Sequence, residues 1–521
     1  MKPSRTITRA ALVVSGGILL SRIIGYLRNV FIGAELGIGT DTDLYAAAFT
    51  VPDYLFFLMA GGYLSITLVP ILSSRLVSDD PGAAREAFTA VFRFVVALMM
   101  VSTLVALLAA TPITELIFPE YTPSQIERLV PMMRITFVSQ LFFVAGTVLM
   151  AAQYASKRFL IPTVAPIIYN VAIIAGGLIG AAGGDASPEA FIWGGLVGAI
   201  IGNFGLQWWG ARRCGFWPVR NVAARHPAVR EYLTLAIPLM VGQSVVALDE
   251  QWPRLFGQFA GEGAQAGLVF ARQLNMVPVG VIAQAVGVAA FPFLAGLAAE
   301  GRLGDLRSTV KRSVRGALAV GALAGGLVIA LADPIVRIAY QYGRFDASAT
   351  DFVGGLLFFY AFSIPFWAAH QVYTRSFYAL RKMWTPVIAG SIITAFAIPT
   401  LWYFVNRNGA EGVAGASSLT IAVYTVTIAV LWHVRVSPED GWEMGRFAFK
   451  VAAVAAGAAA CAVLAGVLVE PADLADVVGL IVQAVVGTAV YVAGARLLGI
   501  HEVAAFLQRV LQVLRRAPTA S

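Results

Sequence analysis

Charge is scarce in this chain and cysteine nearly absent, and each shortage narrows what it can be. Only 13% of the 521 residues are Asp, Glu, Lys or Arg, against about 25% in water-soluble domains, which excludes a soluble globule. The two cysteines, Cys214 in a basic loop and Cys461 in an apolar run, give neither a disulfide framework nor metal-ligand spacing. No metal or other cofactor is expected. Long loops are missing as well: the longest connection between apolar runs, 211–230, has 20 residues, too few for a folded head. No outer loop clusters carboxylates or histidines, which argues against a membrane glycosyltransferase or diphosphatase; the chain is not expected to be an enzyme.

What is present is apolar sequence from end to end: 59% hydrophobic residues and a mean hydropathy of +0.77. Runs of 20 or more apolar residues recur, the mark of a polytopic membrane protein. The first run follows Lys2, Arg5 and Arg9 but lacks a small-residue cleavage site, so it reads as a retained helix rather than a signal peptide. Fourteen spans are expected, near 10–33, 42–72, 86–110, 128–152, 160–182, 189–210, 231–258, 264–298, 313–332, 351–379, 384–405, 411–432, 446–468 and 477–498. With the N-terminus inside, 26 of the 37 Lys and Arg fall on the cytoplasmic side. Four (Arg128, Arg337, Arg344 and Arg407) fall outside, and seven within spans. That asymmetry follows the positive-inside rule and places both termini in the cytoplasm. The net charge of +8 thus reflects basic loops and does not call for nucleic acid.

The chain also repeats itself. Tyr154-Ala155-Ser156-Lys157-Arg158-Phe159-Leu160-Ile161-Pro162 matches Tyr378-Ala379-Leu380-Arg381-Lys382-Met383-Trp384-Thr385-Pro386 at an offset of 224; Val51-Pro52 matches Val277-Pro278 and Arg28 matches Arg254 at 226. The unit is six helices, and an even number keeps both copies in one orientation, related by an axis along the membrane normal. The fold expected is therefore all-α: two parallel six-helix lobes around a central cavity, 1–222 and 223–436. Two extra helices (437–500) and a cytoplasmic tail (501–521) complete it. In the tail Val503, Phe506, Leu507, Val510, Leu511 and Leu514 recur at helical spacing, fitting either an interfacial helix or a segment packed on its own protein. Pro52, Gly61, Gly62 and Pro70 in span two, and Pro278, Gly280, Gly287 and Pro292 in span eight, mark helices able to bend.

Arg22 and Arg28 lie inside the first span. A charge at that depth costs roughly 2.5–3.5 kcal/mol on insertion scales, so two of them need compensation, and a wet cavity holding an anion supplies it. They sit roughly 120° apart on the helix. Arginine suits a diphosphate because its planar fork stays ionised and donates paired bonds. Further charges stand nearby: Glu35, Asp41, Asp43 and Asp53 around spans one and two, and Asp249, Glu250, Arg254 and Arg272 on spans seven and eight. Glu250 and Arg254 have i, i+4 spacing, which predicts an ion pair within one helix. Asp43 either caps span two or latches a basic residue of the other lobe. Arg93 and Arg134, near span ends, are expected to pair with a neighbouring helix or snorkel.

Ser21-Arg22-Ile23-Ile24-Gly25-Tyr26-Leu27-Arg28-Asn29 resembles the SR-x-x-G-x-x-RD opening of the MurJ/MviN lipid II flippases, within the multidrug/oligosaccharidyl-lipid/polysaccharide exporter superfamily. Thr42-Asp43, Phe49 and Pro52 are similar to that family's TDAF…PN stretch. Tyr342-Gly343-Arg344-Phe345-Asp346-Ala347, with Arg375-Ser376-Phe377-Tyr378-Ala379-Leu380 and Thr385-Pro386, is similar to its RGAF…R-x-FYAL…TP pattern. The resemblance implies a flippase that carries undecaprenyl-diphosphate-linked disaccharide-pentapeptide (lipid II) from inner to outer leaflet by alternating access. It would sit in a bacterial cytoplasmic membrane, surrounded by membrane lipids. It also implies Arg22 and Arg28, the outer aspartate Asp43 and Arg272 as substrate-binding residues; the residues themselves, apart from the resemblance, offer Asp53, Asp249, Glu250 and Arg254 as supporting cavity charges. The chain is expected to act as a monomer, with cell-wall synthesis machinery as a candidate partner. Three departures stand out: Asn29 replaces the aspartate after Arg28, Phe56-Phe57 replaces an arginine pair, and Ala60-Gly61-Gly62 replaces an A-E-G turn. Another lipid-diphosphate glycan would satisfy the remaining charges, and a drug/cation antiporter of the superfamily is the further alternative.

Overall fold

The computed structural model describes residues 5–503, apart from 61, 62, 79, 185, 221, 224, 283–288 and 470–475. Gly61, Gly62 and Gly287, expected at bends, and tail residues 504–521 lie outside that set. Among the described residues there are helices and turns and no strand. This is what a bilayer demands of a non-barrel chain, because a helix satisfies its backbone polar groups internally. The chain divides into two compact units, Met1–Ala266 with Tyr342–Asp346, and Gly267–Gln341 with Ala347–Ser521.

The first unit opens on α1 (Arg5–Leu36), followed by α2 (Thr40–Ala48), α3 (Thr50–Ala60), α4 (Tyr63–Val77), α5 (Pro81–Leu108), α6 (Ala110–Ile117), α7 (Pro123–Ala155) and α8 (Leu160–Ala182). Then come α9 (Pro188–Gly198), a π-helical stretch (Ala199–Leu206), α10 (Gln207–Arg213) and α11 (Pro227–Phe256). Gly17, Ser21 and Gly25 recur every four residues on α1, and a methyl group added at Gly17 would come within 2.4 Å of Thr163 on α8. Small residues at this spacing let two membrane helices touch along their backbones. Elsewhere Leu64, Leu68, Phe88, Val91, Met99, Val148 and Tyr232 form one apolar core, and Leu44, Met132, Met133 and Phe137 another.

α12 (Ala264–Ile282) starts in the first unit and continues into the second. There follow α13 (Ala289–Ala299), α14 (Leu303–Ala330), α15 (Ala332–Tyr340), α16 (Ala347–Ala361), α17 (Ile364–Ala379), α18 (Trp384–Arg435), α19 (Gly441–Val469) and α20 (Asp476–Leu497). Its core gathers Val310, Val314, Ile364, Phe377, Trp432, Val451 and Tyr491, whose hydroxyl donates to the Ala319 carbonyl at 2.7 Å. α18 is two passes, not one. Gly409 leaves the helix at φ 56°, ψ −136°, and Tyr424 donates to the carbonyl of Pro386, 38 residues earlier, at 2.7 Å. A straight helix would separate those residues by about 57 Å.

Ten described segments are long and apolar enough to cross a membrane by length and composition, the α18 segment counted once. Expected spans two, seven and eight are helical too, but are interrupted or carry charge: span two divides into α2, α3 and α4, with Phe49 between the first two.

The duplication has a conformational signature. Lys157 and Arg381, 224 residues apart, are the two non-glycine residues with positive φ among those described, each at 57°. The N–H of Arg158 donates to the Gln153 carbonyl at 2.8 Å and that of Lys382 to the Phe377 carbonyl at 2.9 Å. Both are helix ends closed by a six-to-one bond around a left-handed residue. A second pair of breaks is just as regular: α5 and α14 are each 28 residues long and stop at Leu108 and Ala330. Pro112 and Pro334 lie four residues on, where a proline ring collides with the carbonyl four places earlier.

Candidate functional site

The site is built where α1 meets α8. Gly25 faces Asn170, and a methyl group there would meet its Nδ2 at an ordinary contact distance of 3.5 Å. Asn170 donates that nitrogen to the Pro166 carbonyl at 2.9 Å, which fixes its amide and points Oδ1 at α1. Arg28 Nη1 donates to Asn170 Oδ1 at 3.0 Å, while Nε and Nη2 donate to Asn29 Oδ1 at 3.2 and 3.0 Å. Asn29 and Asn170 are both buried; Arg28 is half-buried. No carboxylate lies within 4 Å of Arg28 among the described residues. The guanidinium is therefore oriented by neutral dipoles. Six residues earlier, Arg22 is exposed and makes no hydrogen bond or ion pair among the described residues.

Beside Arg28 lies a neutralised pair. Asp53 on α3 sits 3.0 Å from Arg254 Nη1 on α11, and its other oxygen accepts from Gln140 Nε2 on α7 at 2.9 Å. Arg254 Nη1 also donates to Gln251 Oε1 at 3.2 Å. Arg28 and Arg254 are both near enough to act electrostatically on Asp53. The i, i+4 pairing expected between Glu250 and Arg254 is not the one adopted, because Arg254 turns to another helix. Asp249 is half-buried and Glu250 exposed on α11, and Arg272 is half-buried on α12 in the second unit; each is engaged with neighbours.

Asp43 serves neither as a cap on its own helix nor as a latch to a basic side chain. Its two carboxylate oxygens accept from the backbone N–H groups of Gly263 (2.6 Å) and Ala266 (2.8 Å) at the start of α12. The first N–H groups of a helix have no partner within it, and a buried carboxylate there satisfies two of them while facing the positive end of the helix dipole. Around it, Thr40 gives its N–H (3.1 Å) and hydroxyl (2.6 Å) to Glu262 Oε1, Tyr121 bonds Gln265, and Arg128 bridges Asp41 (2.8 Å) and Glu189 (3.4 Å). The N–H of Arg344 donates to the Ala34 carbonyl at 2.7 Å. Gly343 makes that approach possible, since a methyl group there would fall 2.4 Å from Ala34 O. The Tyr342–Asp346 motif is thereby anchored to the end of α1.

Of the remaining intramembrane arginines, Arg93 does find a neighbour, donating to the Val219 carbonyl at 2.6 Å. Arg134 is exposed with no such partner among the described residues. Sequence reasoning overlooked Asn170 and Gln140. The available signal was an amide inside an otherwise apolar helix.

The described residues build a helical multi-pass fold with cations inside its spans, and solved structures share that fold. The fold matches a multidrug resistance MATE family transporter of the MOP superfamily in an inward-facing conformation (TM-score 0.67, 13% identity, 82% of this chain and 98% of that one). It also matches a lipid II flippase MurJ in an inward closed conformation (TM-score 0.77, 19% identity, 94% and 98%). In sequence, a probable lipid II flippase MurJ of Rhizobium meliloti (strain 1021) is 26% identical over 416 residues, 77% of this chain and 76% of the relative. The lipid II flippase MurJ family model matches residues 32–479, and the chain belongs to that family.

Proposed function

We propose that the chain translocates lipid II from the inner to the outer leaflet by alternating access, without making or breaking covalent bonds. The observation that carries this reading is the half-buried Arg28, held by the Asn29 and Asn170 amides and left un-neutralised. A guanidinium prepared in this way awaits an anion, and a diphosphate matches its fork. Arg22, one and two-thirds turns away, would meet the same head group. Asp53, Asp249, Glu250 and Arg254 are the supporting charges. The moving parts are the six-helix lobes 1–222 and 223–436, with 437–500 appended, fourteen spans in all and both termini in the cytoplasm. The chain works as a monomer in the inner membrane, with the prenyl tail left in lipid between the lobes.

A second cargo has one observation in its favour. Phe56 and Phe57, where the family has an arginine pair, pack edge-on with one another, and Phe56 also on Phe143. With fewer cations offered, another lipid-diphosphate glycan fits as well. A cationic drug would be repelled by Arg22 and Arg28, which counts against an antiporter. Native mass spectrometry of co-purified lipid, followed by head-group translocation in liposomes, tests the reading. Bound and flipped lipid II is the expected result; a preference for a different glycan lipid would reassign the cargo.

A further inference from the structure

We infer that Asp53 determines which guanidinium meets the anion: by neutralising Arg254 it leaves Arg28 as the cation offered to a diphosphate. This rests on the translocation reading above and divides the roles within that site. Both oxygens of Asp53 are committed, one to Arg254 at 3.0 Å and the other to Gln140 at 2.9 Å. The side chains of Asp53 and Arg254 are 27% and 19% exposed, so the pair is shielded enough for its attraction to hold. Arg28 stands within electrostatic reach of the same carboxylate, yet all its hydrogen bonds go to amide oxygens. One carboxylate is shared unequally between two arginines, and the geometry awards it to Arg254.

The residue types fit this division. Arg28 is followed by the amide Asn29, while the carboxylate Asp53 stands on another helix after Pro52. An aspartate at 29 would put a negative oxygen where Asn29 Oδ1 now accepts from Nε and Nη2 of Arg28. It would compete directly with a diphosphate for the same fork. With the carboxylate on α3 instead, that competitor is absent and α11 has a counter-ion.

The test is titration of the purified full-length chain with farnesyl diphosphate, paired with thermal unfolding of every variant. Arg28→Gln should weaken binding about tenfold, the loss of one charged hydrogen-bonding partner. Asp53→Asn should tighten it about fivefold by releasing Arg254, and adding Arg254→Gln should return affinity to near the original. Asn29→Asp should weaken binding about tenfold without lowering the melting temperature. A merely structural Asp53 cannot give tighter binding, so unchanged or weaker affinity in a folded Asp53→Asn protein overturns the inference. If that single variant is too unstable to assay, the charge-neutral double variant decides: loss of binding there overturns it equally. A wild-type chain that does not bind farnesyl diphosphate also ends it. Should this order of affinities appear while lipid II is not flipped in liposomes, the cargo assignment fails and the counter-ion role of Asp53 stands.

Discussion

Arg28 in the first unit and Arg315 in the second are both half-buried arginines on long helices, and the protein treats them in opposite ways. Arg315, on α14, lies 3.0 Å from Glu443 and 2.6 Å from Glu502, and stacks 4.3 Å over Phe447. Next to it Lys311 bridges Asp440 and Glu443, and Arg307 reaches Glu439. Every one of these cations has a carboxylate from the α18–α19 connection, from α19 or from the residues after α20. Arg28 has amides only. The difference separates two uses of charge. A cation that staples helices is matched with anions of the same chain, whereas Arg28, the cation proposed to meet the ligand, is oriented by amide dipoles. The second arrangement costs stability, because the unbalanced charge must be hydrated or filled.

Arg28→Ala in liposomes should slow head-group translocation about 100-fold, the loss of a forked, charge-assisted contact, while leaving the melting temperature unchanged or slightly raised. Normal flipping would make Arg28 another structural charge. Asp43→Ala removes two bonds from the start of α12 and should cost about 2 kcal/mol of stability, read from thermal or denaturant unfolding in detergent. Asp43→Asn, which keeps an acceptor, should recover part of it. Arg315→Ala should do the reverse of Arg28→Ala: about 1 kcal/mol less stability, since Glu443 is half exposed, with translocation kept. Raising salt to about 1 M should erase much of that difference, because the exposed members of the cluster are screened.

The smallest effect concerns Glu262. The Thr40 hydroxyl and backbone N–H hold its carboxylate below the usual range. A depressed value means the contribution is complete above the ordinary glutamate value of about 4.3 and fades as pH falls through the lower folded value. Melting temperature should therefore drop slightly more steeply below about pH 4.3 in the wild type than in Glu262→Gln.

Much of the architecture could be read from the residues, since hydrophobic runs and basic loops report directly on membrane and water. The duplication was legible because the helix end around Lys157 and the one around Arg381 share a local sequence, and local sequence sets a left-handed turn. Pro112 and Pro334 carried equal information about the α5–α6 and α14–α15 breaks. The partners of the charges were harder. Spacing put Glu250 one turn from Arg254, but a shielded carboxylate on α3 competes better than an exposed one on the same helix. Asp43 meets residues some 220 positions away, and no pattern around it says which helix start it will cover. Asn170 and Gln140 went unnoticed because an amide in an apolar run carries no charge to betray it, although such amides hold Arg28 and Asp53 in place.

The twin left-handed turns carry one more consequence. Each presents an exposed dibasic pair, Lys157-Arg158 and Arg381-Lys382, at the tip of a helix end. In sealed vesicles of single orientation, trypsin added to one face should nick both or neither. Repeats of opposite polarity would give it only one. The duplicated turn is thus a built-in topological reporter, readable from fragment sizes on a gel.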